Sequence, residues 1–114
     1  MSKRDHLLLL NDILESAIKI KKYTESLNLE DFLNDDKTLD AVVRNLEIIG
    51  EATNRINPKI KGLYPKIEWK RIKGLRKRIV HDYFGIDYEI VWSIIENDLD
   101  NLIEEIEQII DDHK

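Results

Sequence analysis

With 114 residues, 42% of them hydrophobic and 36% charged, the chain has room for one compact domain, residues 1–114, and none for a second. Four glycines, two prolines and 7% aromatic residues, set against abundant Leu, Ile, Lys, Glu and Asp, favour helices over strands. The lack of cysteine excludes disulfides and thiolate metal sites and fits a cytoplasmic protein, while a net charge of −5 argues against a polyanionic partner until its distribution is considered.

The chain opens with Met1 to His6 and a short apolar run, Leu7 to Leu10, broken at once by Asn11 and Asp12, so neither a signal peptide nor a membrane span is expected. Leu7, Leu10, Ile13, Leu14, Ala17 and Ile20 recur at three- and four-residue steps and predict one amphipathic helix from about Asp5 to Ser26. Asn28 can cap a short turn from Leu29 to Leu33, followed by an acidic linker. A second long helix is expected from about Lys37 to Ile56, burying Leu39, Val42, Val43, Leu46, Ile49 and Ala52; Gly50 inside it lets another helix backbone approach closely. Asn57-Pro58 ends that helix, and Lys59 to Lys66 reads as a connector with at most one helical turn. A third main helix is expected from Ile67 or Glu68 to about Asp82, stopped by Gly85. Asp87 then caps a last helix running to the end, with a kink at Asn97-Asp98. No strand signal is visible. The predicted fold is all-α, an antiparallel bundle of four main helices plus short connecting helical turns.

Charge is unevenly spread. Lys59 to Arg78 holds nine basic residues and one acid, a local charge of +8, so the remainder carries −13; eight of its acids lie between Glu96 and Asp112. The basic block ends next to His81, the one histidine away from both chain ends; His6 and His113 are expected to fray and are assigned no role. Arg76, His81 and Tyr83 together supply a fixed cation, a group titrating near neutral pH and a phenol, enough for chemistry on a phosphate ester. On an unbroken helix Arg76 and His81 would diverge by roughly 140°. They can meet on one ligand if the helix ends between them, or if a two-fold axis brings in a second copy.

Arg76-(four residues)-His81-Asp82-Tyr83 resembles the Arg-X4-His-X-Tyr signature of the HepT family, HEPN-domain ribonuclease toxins paired with a minimal nucleotidyltransferase antitoxin. The segments Arg44 to Ala52 and His81 to Asp87 are also similar to that family, and the register covers essentially the whole chain. The resemblance implies a HEPN-type bundle forming a two-fold homodimer. It further implies a metal-independent endoribonuclease with no cofactor, cutting tRNA or mRNA at a composite cleft. His81 would act on the ribose 2′-hydroxyl and Arg76 on the scissile phosphate, with Lys73, Lys77 and Arg78 as RNA contacts. Tyr83 would be the residue that the cognate nucleotidyltransferase modifies with AMP, adding bulk and negative charge beside the cleft. Members of the family commonly carry Asn or Asp directly after the arginine; Lys77 stands there in this chain, an extra cation that still favours phosphate.

Blander readings stand beside these. His81 alone reads as a helix-end residue near C-terminal carbonyls, and Tyr83 as a core or interface aromatic. Tyr64 and Trp69, among lysines, could stack on bases, although helical spacing suits a buried Trp69. The acids of the last helix lack a histidine at ligand spacing and read as a solvated face, so no metal site is expected. A non-catalytic adaptor that presents substrate to a nucleotidyltransferase is the alternative function.

Overall fold

The computed structural model describes residues 3–81 and 85–114, the side chains of Lys3 and His81 excepted. Helix α1 (Lys3–Thr24) carries His6, Leu10, Ile13, Ala17, Ile20 and Thr24 along one buried stripe. These positions recur at the helical repeat, so one face is desolvated over the whole length. Thr24, near its end, turns its hydroxyl back to the carbonyl of Ile20 (2.8 Å), satisfying a polar group that the packing encloses.

Asn28 caps the short helix α2 (Leu29–Leu33) through a full capping box with Asp31. That cap fixes the entry angle of Phe32, which is fully buried and stacks at 5.0 Å on Trp92. Helix α3 (Asp36–Arg55) starts on Asp35, whose carboxylate accepts from both the amide (3.1 Å) and the hydroxyl (2.7 Å) of Thr38. Its buried face of Leu39, Val42, Leu46, Ile49 and Ala52 packs on α1. The two helices run antiparallel, since His6 near the start of α1 meets Asn57 just beyond the end of α3.

Beyond α3 the elements shorten. Helix α4 (Pro58–Leu63) has proline in its first turn and Asn57 as its cap, and is somewhat longer than the single turn expected. The predicted third main helix is instead two five-residue pieces, α5 (Trp69–Lys73) and α6 (Leu75–Ile79), divided at Gly74. It also ends before Asp82: Val80 adopts extended backbone, and β1 (Val80–His81) pairs antiparallel with β2 (Gly85–Ile86) in a two-stranded ladder. Helices α7 (Tyr88–Asn97) and α8 (Leu99–Asp112) complete the chain, broken at Asp98 where the kink was expected.

One hydrophobic cluster joins α1, α3, α7 and α8, with Leu102, Ile106 and Ile109 supplied by α8. Fully burying a side chain such as Ile106 contributes about 1.5–3 kcal/mol. The architecture is an all-α bundle, as the periodicity predicts, and among the described residues no helix is long and apolar enough to cross a membrane.

Two features of this frame set the position of α5 and α6. A β-carbon at Gly50 would lie 3.4 Å from the carbonyl oxygen of Lys73 and 3.7 Å from that of Ile72, so α5 rests almost backbone to backbone on α3. This is the close approach that the mid-helix glycine suggests. On the far side, Arg71 of α5 and Arg78 of α6 both reach Asp98 (3.1 and 3.2 Å), tying the short helices to the break between α7 and α8.

Candidate active site

Helix α6 is held by two buried anchors four residues apart, Leu75 and Ile79, which pack into the core and turn Arg76 and Lys77 outward. Extended backbone at Val80 stops the helix; its amide still donates to the carbonyl of Arg76, so the last turn closes before the chain straightens. From there the chain advances about 3.3 Å per residue instead of about 1.5 Å. The helix therefore ends between Arg76 and His81, one of the two arrangements that free these residues from diverging on a single axis.

The ladder is closed at its base. Val80 pairs with Ile86, His81 pairs with Gly85, and the amide of Asp87 donates to the carbonyl of Ile79 at 2.7 Å. The side chain of Asp87 caps α7 at the same time, its Oδ1 accepting from the amides of Glu89 and Ile90 (both 3.1 Å). Gly85 has φ +79°, in the left-handed region that glycine enters without a β-carbon penalty. The backbone of His81 is thus held by its pairing with Gly85 in a ladder anchored at Ile79 and Asp87. The imidazole of His81, and Asp82, Tyr83 and Phe84 entirely, lie outside the described residues, and with them the expected modification at Tyr83.

Beside this ladder lies a shallow depression of about 720 Å³ lined by Lys70, Lys73, Gly74, Arg76, Lys77 and Val80. Four of these six residues are cations and none is an acid. Among the described residues, no ion pair or hydrogen bond engages the side chains of Arg76, Lys73 or Lys77. Unneutralised cations facing one hollow create a local positive potential that favours a polyanion. Val80, 37% exposed, gives the hollow an apolar lip.

Arg78 does not join this group. Half-buried, it points to the α7–α8 side, where with Arg71, Asp98 and Glu68 it lines a separate cavity of about 260 Å³ floored by Leu46, Ile94 and Leu99. Its guanidinium shares Asp98 with Arg71, so its charge is largely answered within the fold. Lys70, not singled out in the sequence, stands in the hollow instead; its place three residues before Lys73 in a helix was the available signal.

The remaining candidates fall elsewhere. His6 is buried instead of frayed, its Nδ1 accepting from the amide of Asn57 at 3.4 Å, and among the described residues its Nε2 has no partner. Tyr64 donates its hydroxyl to Asp112 (2.9 Å), and burial, then that carboxylate, raises its phenol above the usual range. In the acidic last helix Asp100 meets Lys21 of α1 at 2.9 Å. Among the described residues no group of three or more His, Asp or Glu side chains is arranged to hold a metal ion.

Comparison with known proteins identifies the family. A family model described as Ribonuclease HepT-like matches residues 13–109. The chain is 44% identical to "Putative RNase MJ0127" of Methanocaldococcus jannaschii, across 98% of this chain and 93% of that protein. It is 42% identical to "Putative RNase MJ1380" of the same organism (94% of this chain, 98% of that protein) and 39% identical to "Probable ribonuclease HepT" of Thermococcus cleftensis (94% and 97%). No solved structure gives a significant match. The helical bundle, the Arg76 to Tyr83 signature and similarity along nearly the full length lead to one conclusion: the chain belongs to the ribonuclease HepT-like family.

Proposed function

We propose that the chain is a metal-independent endoribonuclease whose reacting groups are His81 and Arg76, acting as the toxin of a toxin–antitoxin pair. The observation that carries this reading is Arg76, without an ion-pair partner among the described residues, in a hollow lined otherwise by lysines, glycine and one valine, beside a ladder that fixes the backbone of His81. A neutral imidazole takes the proton from a ribose 2′-hydroxyl. The 2′-oxygen then bonds to the adjacent phosphorus, and the bond from phosphorus to the 5′-oxygen of the next nucleotide breaks. That oxygen leaves with a proton from solvent or from an imidazolium, giving a 2′,3′-cyclic phosphate and a 5′-hydroxyl. Arg76 faces the charge that builds on the non-bridging oxygens, where a guanidinium offers two parallel donors. Lys73 and Lys77 hold neighbouring phosphates, and Arg78 serves mainly to hold Asp98.

The proposal includes a two-fold homodimer in which two copies of the hollow face each other across a composite cleft, and AMP transfer to Tyr83 by a cognate nucleotidyltransferase as the means of silencing. An AMP group on Tyr83 would add bulk and negative charge that oppose the binding of RNA. The test is incubation of the chain with total RNA in excess EDTA, alongside His81→Ala and Arg76→Ala. Cyclic-phosphate ends from the wild type and loss of cleavage in both variants are expected, with DNA resistant. No cleavage by a folded wild type would favour the adaptor reading instead.

A further inference from the structure

The hollow that holds Arg76 shares a wall with a second one. Lys70 and Lys73 line both, and the second, about 520 Å³, adds Lys61, Ile67, Glu68 and Trp69. Trp69 opens α5, and its ring is fixed at the polar edge: Nε1 donates to the carbonyls of Lys61 (3.2 Å) and Tyr64 (3.1 Å). A half-buried indole whose only polar atom is satisfied by backbone offers the hollow an apolar, planar surface of set orientation.

The charges around that ring come from two different elements, Lys61 from α4 and Lys73 from α5. Lys61 is held below the ordinary lysine range, first by burial and then by repulsion from Lys73. Among the described residues neither lysine has a carboxylate partner. Glu68, the one acid of the lining, lies 3.9 Å from Arg71. Two like charges are thus kept together at an aromatic floor, an arrangement that an anion with a planar ring would relieve.

We propose that this second hollow is a nucleotide subsite for single-stranded RNA, in which an unpaired base stacks on Trp69 and its flanking phosphate lies between Lys61 and Lys73. The inference rests on the ribonuclease reading of the first hollow. Trp69 lies seven residues before Arg76 and the two hollows share Lys70 and Lys73, so the stacked base lies within a few nucleotides of the scissile phosphate. Lys70 and Lys73 bridge the two hollows and carry the backbone between them. Double-stranded RNA keeps its bases stacked on one another and is excluded from such a site.

Trp92→Phe leaves Trp69 as the only tryptophan, because the chain has two. Titration of this variant with a mixed-sequence 2′-O-methyl oligonucleotide, which lacks the attacking hydroxyl, is expected to quench Trp69 emission and to shield it from acrylamide. In the otherwise unaltered chain, Trp69→Ala is expected to weaken binding of the same probe roughly 5- to 140-fold, and Trp69→Phe far less. Lys61→Gln is expected to lower the slope of log affinity against log salt by about 1. Should the alanine variant fail to fold, the Trp69 emission and the Lys61→Gln slope still decide the matter. Bound probe with unchanged Trp69 emission, or an unchanged salt slope in Lys61→Gln, overturns the subsite. If the wild type nonetheless cuts RNA, only the subsite falls; if it neither binds nor cuts, the reading beneath it falls too.

Discussion

Gly85→Ala is the sharpest test of how the backbone of His81 is held. The glycine sits at φ +79°, where a β-carbon costs about 1–2 kcal/mol, and among the described residues no neighbouring atom lies within 4 Å of where that carbon would stand. Conformational strain is therefore the expected penalty. If the bundle bears it, Tm should fall by about 4 °C per kcal/mol. If the ladder opens instead, Tm should hold while the amide of Asp87, bonded to Ile79 at 2.7 Å, exchanges faster and RNA cleavage drops. Gly85→Asn should lose less by either route, because asparagine enters the left-handed region more readily. Thermal melts, amide exchange and cleavage rates on the two variants cover both responses. An alanine variant with unchanged melting, unchanged exchange at Asp87 and full cleavage would refute the claim that this ladder positions His81.

Three further outcomes are expected. Lys73→Ala and Lys77→Ala should each lower the salt slope of RNA binding by about 1, whereas Arg78→Ala should leave the slope alone and loosen the link to Asp98; equal slopes for all three would place Arg78 in the RNA contact. Gly50→Ala should be neutral or stabilising by up to about 1 kcal/mol, since helix propensity improves and the nearest atom is at ordinary contact, while Gly50→Leu should push α5 off α3 and reduce both urea midpoint and cleavage. Glu105 has its carboxyl raised, first by burial and then by the charge of Glu68. The folded state thus holds that proton more tightly, and the contribution is present at low pH and lost as pH rises through the raised value. Glu105→Gln should therefore stabilise the chain at pH 7 and show no gain below the ordinary glutamate range; a variant less stable than wild type at pH 7 would contradict this.

Much of the fold was legible because periodicity and capping agree where helices are long. The ends of α1 and α3, the caps Asn28 and Asp87 and the break at Asp98 each follow from a polar residue flanking an apolar stripe. The region from Trp69 to Ile86 was harder. Trp69, Ile72, Leu75 and Ile79 keep helical spacing across Gly74, because α5 and α6 present one face to the core, so the sequence reads as a single helix. A two-residue strand is too short to show alternation, and Val80 and His81 gave no strand signal. His6 was read by its place near the terminus, although it falls four residues before Leu10 on the buried stripe. Of the site, Arg76, Lys73 and Lys77 were legible from the basic block and the family resemblance, whereas Lys70 was not singled out; which cation belongs to Asp98 and which to the hollow is decided by tertiary packing.

Closing the ladder at Ile79 and Asp87 separates what keeps the protein folded from what it does. The amide and the carboxylate of one aspartate lock the crossing from α6 to α7, so a single side chain and its own backbone close the ladder and start the next helix. Under the proposed silencing by AMP transfer, a modification could come and go without these bonds being broken.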